Sequence, residues 1–131
     1  MTLIRRKGVA LVETSKGILV VAGKNKKFTL PGGGADRGET RKQAAMRELQ
    51  EETGLKAKQA RYLFSYVGKR WDAHGRSIRN HAKVFSVQAS GKPRPQHEIK
   101  YVGFWKPQCN LAISKRTQWI IQSYCQTRSE R

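Results

Sequence analysis

The sequence is poor in acid. Nine Asp and Glu stand against 27 Lys and Arg, a formal net charge of +18. A field of that size concentrates polyanions at the surface, whether nucleic acid, a polyphosphate or an anionic membrane, and does not choose among them. Long apolar runs are also missing: none approaches the ~20 residues needed to span a bilayer. The start, MTLIRRKGVALVE, sets charges where a secretory signal needs an apolar core. Cysteine is limited to Cys109 and Cys125, whose spacing is not that of a metal site and implies no disulfide. Two such thiols fit a reducing compartment, so the expectation is a cytoplasmic protein without a membrane partner. An apolar fraction of 37% argues against wholesale disorder. With 131 residues and no repeat, low-complexity tract or internal linker, a single domain over 1–131 is expected.

The few acids are unevenly placed. Asp36, Glu39, Glu48, Glu51 and Glu52 fall between Gly33 and Leu55, a segment that also holds Arg37, Arg41, Lys42 and Arg47. It nets −1 and leaves +19 for the rest of the chain. A basic protein that gathers its carboxylates in one place has a local use for them.

Residues 8–13 (GVALVE) and 17–22 (GILVVA) are apolar, β-branched runs around Thr14-Ser15-Lys16 and read as a hairpin. A basic turn, Lys24 to Lys27, leads to Phe28-Thr29-Leu30, and Pro31 with Gly32, Gly33 and Gly34 makes a loop. Thr40 then reads as a helix N-cap, and Gln43 three residues on completes a capping box. Ala45, Met46, Leu49 and Thr53 fall on one side of this helix, and Gly54 supplies its stop. Residues 60–67, 82–89 and 98–105 read as strands. A polar hairpin loop spans 68–81, and a proline-containing loop spans 90–96. Ser114 caps a last helix with Ile113, Thr117, Ile120, Ile121 and Tyr124 on its apolar side. Strands on either side of a central helix predict an α/β domain with a mixed sheet between helices.

On the central helix, Glu48, Glu51 and Glu52 stand at i, i+3 and i+4 and project from one face. Like charges so placed destabilise an isolated helix by a few tenths of a kcal/mol per pair. A cation removes that penalty. Carboxylates without Cys or His suit a hard ion such as Mg²⁺, which combines few protein ligands with water and substrate phosphates. A bare acidic helix face can equally be solvated surface; the flanking residues are what bear on the choice.

Gly33 to Leu55, GGADRGETRKQAAMRELQEETGL, resembles the Nudix box, G-x5-E-x7-R-E-U-x-E-E-x-G-U with U a bulky aliphatic residue. Every defined position matches: Gly33, Glu39, Arg47, Glu48, Leu49, Glu51, Glu52, Gly54 and Leu55. The resemblance implies an α/β/α sandwich and a hydrolase of phosphoanhydride bonds in nucleoside diphosphates linked to a further group. It implies that Glu48, Glu51 and Glu52 hold Mg²⁺, with Mn²⁺ as a substitute, and that Gly33 gives close backbone approach to the metal. Arg47 pairs with Glu39 in the family pattern, Gly54 ends the helix, and Leu49 and Leu55 are core anchors. Glu51 and Glu52 are expected first as metal ligands. Glu98, before Phe104-Trp105, is an added ligand or proton acceptor of the kind some MutT-like members carry on a late loop.

Phosphates need cations besides metal. Lys24 and Lys27 precede the glycine loop, while Arg70, Arg79 and Lys83 lie along the long hairpin, and all five are candidate phosphate contacts. Trp71, Phe64 and Tyr66 are candidates for stacking on a base; Phe64 and Tyr66 share strand parity, so both face a cleft or both the core, and the core is the expectation for Phe64. The expected substrate is a small polyphosphorylated molecule: a nucleoside triphosphate, an oxidised nucleotide or a dinucleoside polyphosphate. Diphosphoinositol polyphosphates and RNA 5′ ends are the alternatives. A non-catalytic nucleic-acid-binding protein on the same fold is the alternative of another class, and the charge motivates it.

Overall fold

The computed structural model describes residues 2–129. Its main sheet is mixed, in the order β4-β1-β7-β5. β1 (Thr2–Leu11) runs parallel to β7 (Arg76–Ser90) and antiparallel to the short edge strand β4 (Gly32–Gly34). β5 (Lys56–Val67) and β6 (Trp71–Ala73) both pair antiparallel with β7. A second, antiparallel sheet joins β2 (Glu13–Thr14), β3 (Gly17–Ala22) and β8 (Tyr101–Trp105).

The helices α1 (Arg41–Thr53) and α2 (Lys115–Ser129) cover opposite faces of the main sheet. Strand alternation sorts the core accordingly. Val9, Leu11, Ala82 and Val84 pack with Ile120, Ile121 and Tyr124 of α2. Ala10, Phe85 and Val87 pack with Ala45 and Leu49 of α1. A strand buried on both faces has to be apolar at every position, which is why GVALV is continuous rather than alternating.

That continuity also explains where the sequence reading departs from the structure. The runs 8–13 and 17–22 do meet at a turn, but only Glu13-Thr14 pairs with Gly17-Ile18. β1 then enters the main sheet beside β7, while β3 pairs with β8. A fully buried run carries no signal of which sheet it joins. The polar stretch 68–81 is no simple loop: it holds β6 and the first residues of β7, whose ladder to β1 runs from Thr2↔Ser77 to Arg6↔His81. Backbone pairing with β1 sustains these polar residues as strand. Glu98 to Lys100 precede β8 instead of opening it, and Ile113 bridges Phe28 ahead of α2.

Both helix starts follow local chemistry. Thr40 Oγ1 accepts from Gln43 N at 3.0 Å, Gln43 Oε1 accepts from Thr40 N at 2.8 Å, and Gly54 closes α1 at φ 75°. Ser114 Oγ accepts from Thr117 N at 3.2 Å at the start of α2.

Candidate active site

Two glycines let α1 lie against bare backbone. A Cβ on Gly8 would sit 2.0 Å from the Arg41 carbonyl oxygen, so α1 rests directly on β1. A Cβ on Gly33 would sit 2.6 Å from Cδ of Glu48. The edge strand β4 thus has no side chain where the helix carboxylates come down. Glu52, only 7% exposed, accepts a hydrogen bond from Gly32 N at 3.0 Å. Burial pushes its carboxyl up to about 7 against that bond, and the charges of Glu48 and Glu98 add to the rise. Burial likewise raises Glu48.

Arg47 organises the remaining acids. Its Nε and Nη2 donate to the two oxygens of Glu39 at 2.8 and 3.0 Å, and Nη2 also reaches the Gly34 carbonyl at 3.1 Å. Nη1 donates to Glu48 at 2.9 Å and to Glu51 at 3.2 Å. The fork of a guanidinium suits this chelation of one carboxylate with a hydrogen left for others. The Arg47 bonds, then the backbone N–H of Asp36, hold the Glu39 carboxyl at about 2. Arg6 adds a second clamp, donating to the carbonyls of Glu39 and Asp36 at 2.9 and 3.2 Å.

Because the Glu39 carboxyl titrates near 2 when folded and near 4.5 as an ordinary glutamate, its contribution to stability is complete above about pH 4.5. It is lost as pH falls through about 2. Glu39→Gln should therefore flatten this part of the acid limb while changing its slope little above pH 5, as read from unfolding midpoints between pH 2 and 6.

The loop before β8 is tied to the end of α1. Arg94 N donates to Thr53 O at 2.8 Å and Gln96 N to Glu52 O at 3.1 Å, closing two of the carbonyls a helix end leaves open. Ile99 N returns to Gln96 O, with His97 at φ 56° inside that turn. Glu98 is thereby set close enough for its charge to be felt by both Glu48 and Glu52.

The structure sets Glu48 against Gly33 and Glu52 on Gly32 N, with Glu98 near enough for its charge to act on both and Arg47 joining Glu48 to Glu39. Glu51 is turned outward to Arg47, its side chain 47% exposed. Among the described residues no group of three or more potential ligands converges as a closed metal site. The pair Glu48 and Glu52 still suits Mg²⁺, which needs only one or two carboxylates and keeps several waters. One buried and one half-buried carboxylate, both raised by burial and set beside a strand of glycines, are a donor set that a hard cation would relieve.

Of the basic candidates, Lys24 and Lys27 are exposed on the turn after β3, whose Gly23 backs onto the Glu98 main chain. Arg70 is exposed between β5 and β6. Arg79 and Lys83 alternate in phase with Phe85 on the α1 face, where Lys83 Nζ lies 5.6 Å over the Tyr62 ring. Neither lies on the opposite face, which α2 covers. Lys7 does lie on that face, in phase with Val9, and Glu52 and Glu48 both act on it. Burial and Arg5 push its ammonium below the ordinary range. Neither Lys7 nor Arg6 belongs to a motif; their spacing of two and three residues from Val9 was the one signal available.

The sequence matches the NUDIX domain family over residues 3–120. It is 32% identical to an RNA pyrophosphohydrolase of Baumannia cicadellinicola subsp. Homalodisca coagulata, with 71% of each chain covered. A crystal structure assigned to the nudix hydrolase family from Chromobacterium violaceum superposes with a TM-score of 0.77 at 32% identity, covering 95% of this chain and 79% of that one. The MutT NUDIX hydrolase of Burkholderia pseudomallei shares the fold at TM-score 0.70 and 23% identity, covering 91% and 96%. With a domain match across nearly the whole chain and helix-borne carboxylates set on a glycine edge, this chain belongs to the Nudix hydrolase family, enzymes that act on pyrophosphate bonds.

Proposed function

We propose that the chain is a divalent-metal-dependent pyrophosphohydrolase that opens a phosphoanhydride in a nucleoside diphosphate linked to a further group. The observation that carries this reading is the pairing of buried Glu52 with Glu48 at the glycine edge. These two carboxylates would hold Mg²⁺ or Mn²⁺. When bound, the ion neutralises phosphate oxygens and makes water a better nucleophile.

The protein's own part is positional. Gly33 leaves room for Glu48, Gly32 N fixes Glu52, and Arg47 aligns Glu48 and Glu51 while anchoring the loop through Glu39. Lys7 offers a charge to a phosphate from the face opposite α1. Glu98, on the capped turn, is assigned to take the proton of the attacking water. Lys24, Lys27 and Arg70 are assigned to outer phosphates. A purely binding role would gain nothing from buried carboxylates facing an anionic ligand.

Phosphate or pyrophosphate release from nucleoside triphosphates, dinucleoside polyphosphates, diphosphoinositol phosphates and 5′-triphosphorylated RNA tests this. Turnover should need Mg²⁺ or Mn²⁺. Glu98→Gln should lower kcat by about 10²-fold with little change in KM. Turnover that survives chelation would refute the metal, and an unaltered kcat in Glu98→Gln would refute the base.

A further inference from the structure

The face opposite α1 carries a cleft of about 560 Å³ that no motif announced. Tyr66, Trp71, Trp119, Lys69, Lys115 and Arg116 line it together with Lys7, and no carboxylate does. Trp71 on β6 is 40% exposed and Trp119 on α2 43% exposed, so each of the two secondary-structure elements presents a ring to solvent. Trp119 is held edge-on by Phe64 and Tyr66, both at 5.8 Å between ring centres. The Arg116 guanidinium lies 4.4 Å over Tyr66 and 5.2 Å over Trp119. Lys7, Tyr66 and Arg116 also line a smaller cavity of about 130 Å³ that reaches Gly32, whose N–H is bonded to Glu52. The two cavities therefore adjoin at Lys7, Tyr66 and Arg116, and the smaller one extends to the strand whose N–H holds Glu52.

Rings interleaved with cations along an acid-free groove are the physical requirement for single-stranded nucleic acid: bases stack, and phosphates find charge. A free nucleotide needs one ring and the charges nearest the anhydride. It leaves Lys69, Lys115 and the second tryptophan without a partner. We propose that the cleft takes the nucleotides that follow the reacting 5′ end of a single-stranded oligonucleotide, making the substrate a nucleic-acid terminus. This assignment of substrate class rests on the pyrophosphohydrolase reading above.

The test is binding to wild-type protein in EDTA, read by tryptophan quenching, with ATP and with 5′-triphosphorylated RNA of two and four nucleotides. The tetranucleotide should bind at least tenfold tighter than ATP at equal salt. Trp71→Ala should remove that advantage. Lys115→Ala should reduce the salt dependence of tetranucleotide binding by about one phosphate contact. Unchanged melting temperatures would confirm that both variants are folded, which the exposure of Trp71 and Lys115 favours. Equal affinity for ATP and tetranucleotide, or an advantage that survives Trp71→Ala, overturns the inference. Length-dependent binding without metal-dependent turnover would sink the hydrolase reading alone. Turnover of free nucleotides without length dependence would sink this inference alone.

Discussion

Glu52→Gln is expected to abolish turnover and, in metal-free protein at pH 8, to raise folding stability by about 3 kcal/mol. The carboxyl is pushed up to about 7 in the folded chain, against 4.5 for an ordinary glutamate. Between those values the unfolded chain has lost its proton and the folded one still holds it. Stability of the wild type therefore falls as pH rises from about 4.5 to about 7, and the full penalty persists above. Glutamine carries no such penalty and can still accept the Gly32 N–H bond. The two proteins should converge below pH 4.5 and separate by roughly 10 °C in Tm at pH 8. Adding Mg²⁺ should narrow the gap, because the wild type alone gains from binding it. Thermal melts across pH 4–9, with and without metal, measure all of this. A variant no more stable than the wild type at pH 8 would remove the claim that Glu52 is held at a cost to the fold.

Gly8→Ala should be among the most damaging single substitutions in the chain. Its Cβ would stand 2.0 Å from Arg41 O and 2.7 Å from Ala45 N, both backbone atoms of α1. No rotamer change relieves that clash; the helix has to lift off β1 by more than about 1 Å. Overpacking of this kind costs about 3 kcal/mol or more. Because Glu48 and Glu52 ride on the same helix, the protein that still folds should also lose turnover. Gly68→Ala is the control, since its new Cβ meets only Asn80 at 3.6 Å and open space beyond. Denaturant midpoints for the two variants decide the matter: similar values would mean that α1 tolerates displacement.

What could be read from the sequence was what short-range chemistry decides. The Thr40–Gln43 box and the Gly54 stop need only their own neighbours to form, and the structure shows both. The glutamate cluster was visible because helical spacing puts i, i+3 and i+4 on one side. It did not reveal that Glu51 turns to Arg47 while Glu52 sinks beneath the helix, since that depends on where β4 lies. The division of β1 and β3 between sheets was illegible for a related reason: the buried end of β1 (residues 8–11) and the whole of β3 are apolar at every position. Lys7 comes from β1 and Arg116 and Trp119 from α2, near opposite ends of the chain, and nothing local connects the two segments. Arg79 and Lys83 were candidates because they line the long hairpin, and strand alternation, which puts both on the α1 face of the sheet, could not be read without the register of β7.

The bonds that close α1 run from backbone to backbone, so the identities of Arg94 and Gln96 are immaterial to them. What matters is which residues own an N–H. In the run Lys92-Pro93-Arg94-Pro95-Gln96 the prolines occupy positions that give nothing to the helix, and each donor, Arg94 and Gln96, directly follows one of them. Sliding this segment by a single residue would present a proline ring where a hydrogen is required. The segment is thus locked in register by its imino acids, and Glu98 inherits that lock two residues downstream. Those two bonds ask nothing of the side chains at 94 and 96, but they do fix the placing of the prolines and the length of the loop.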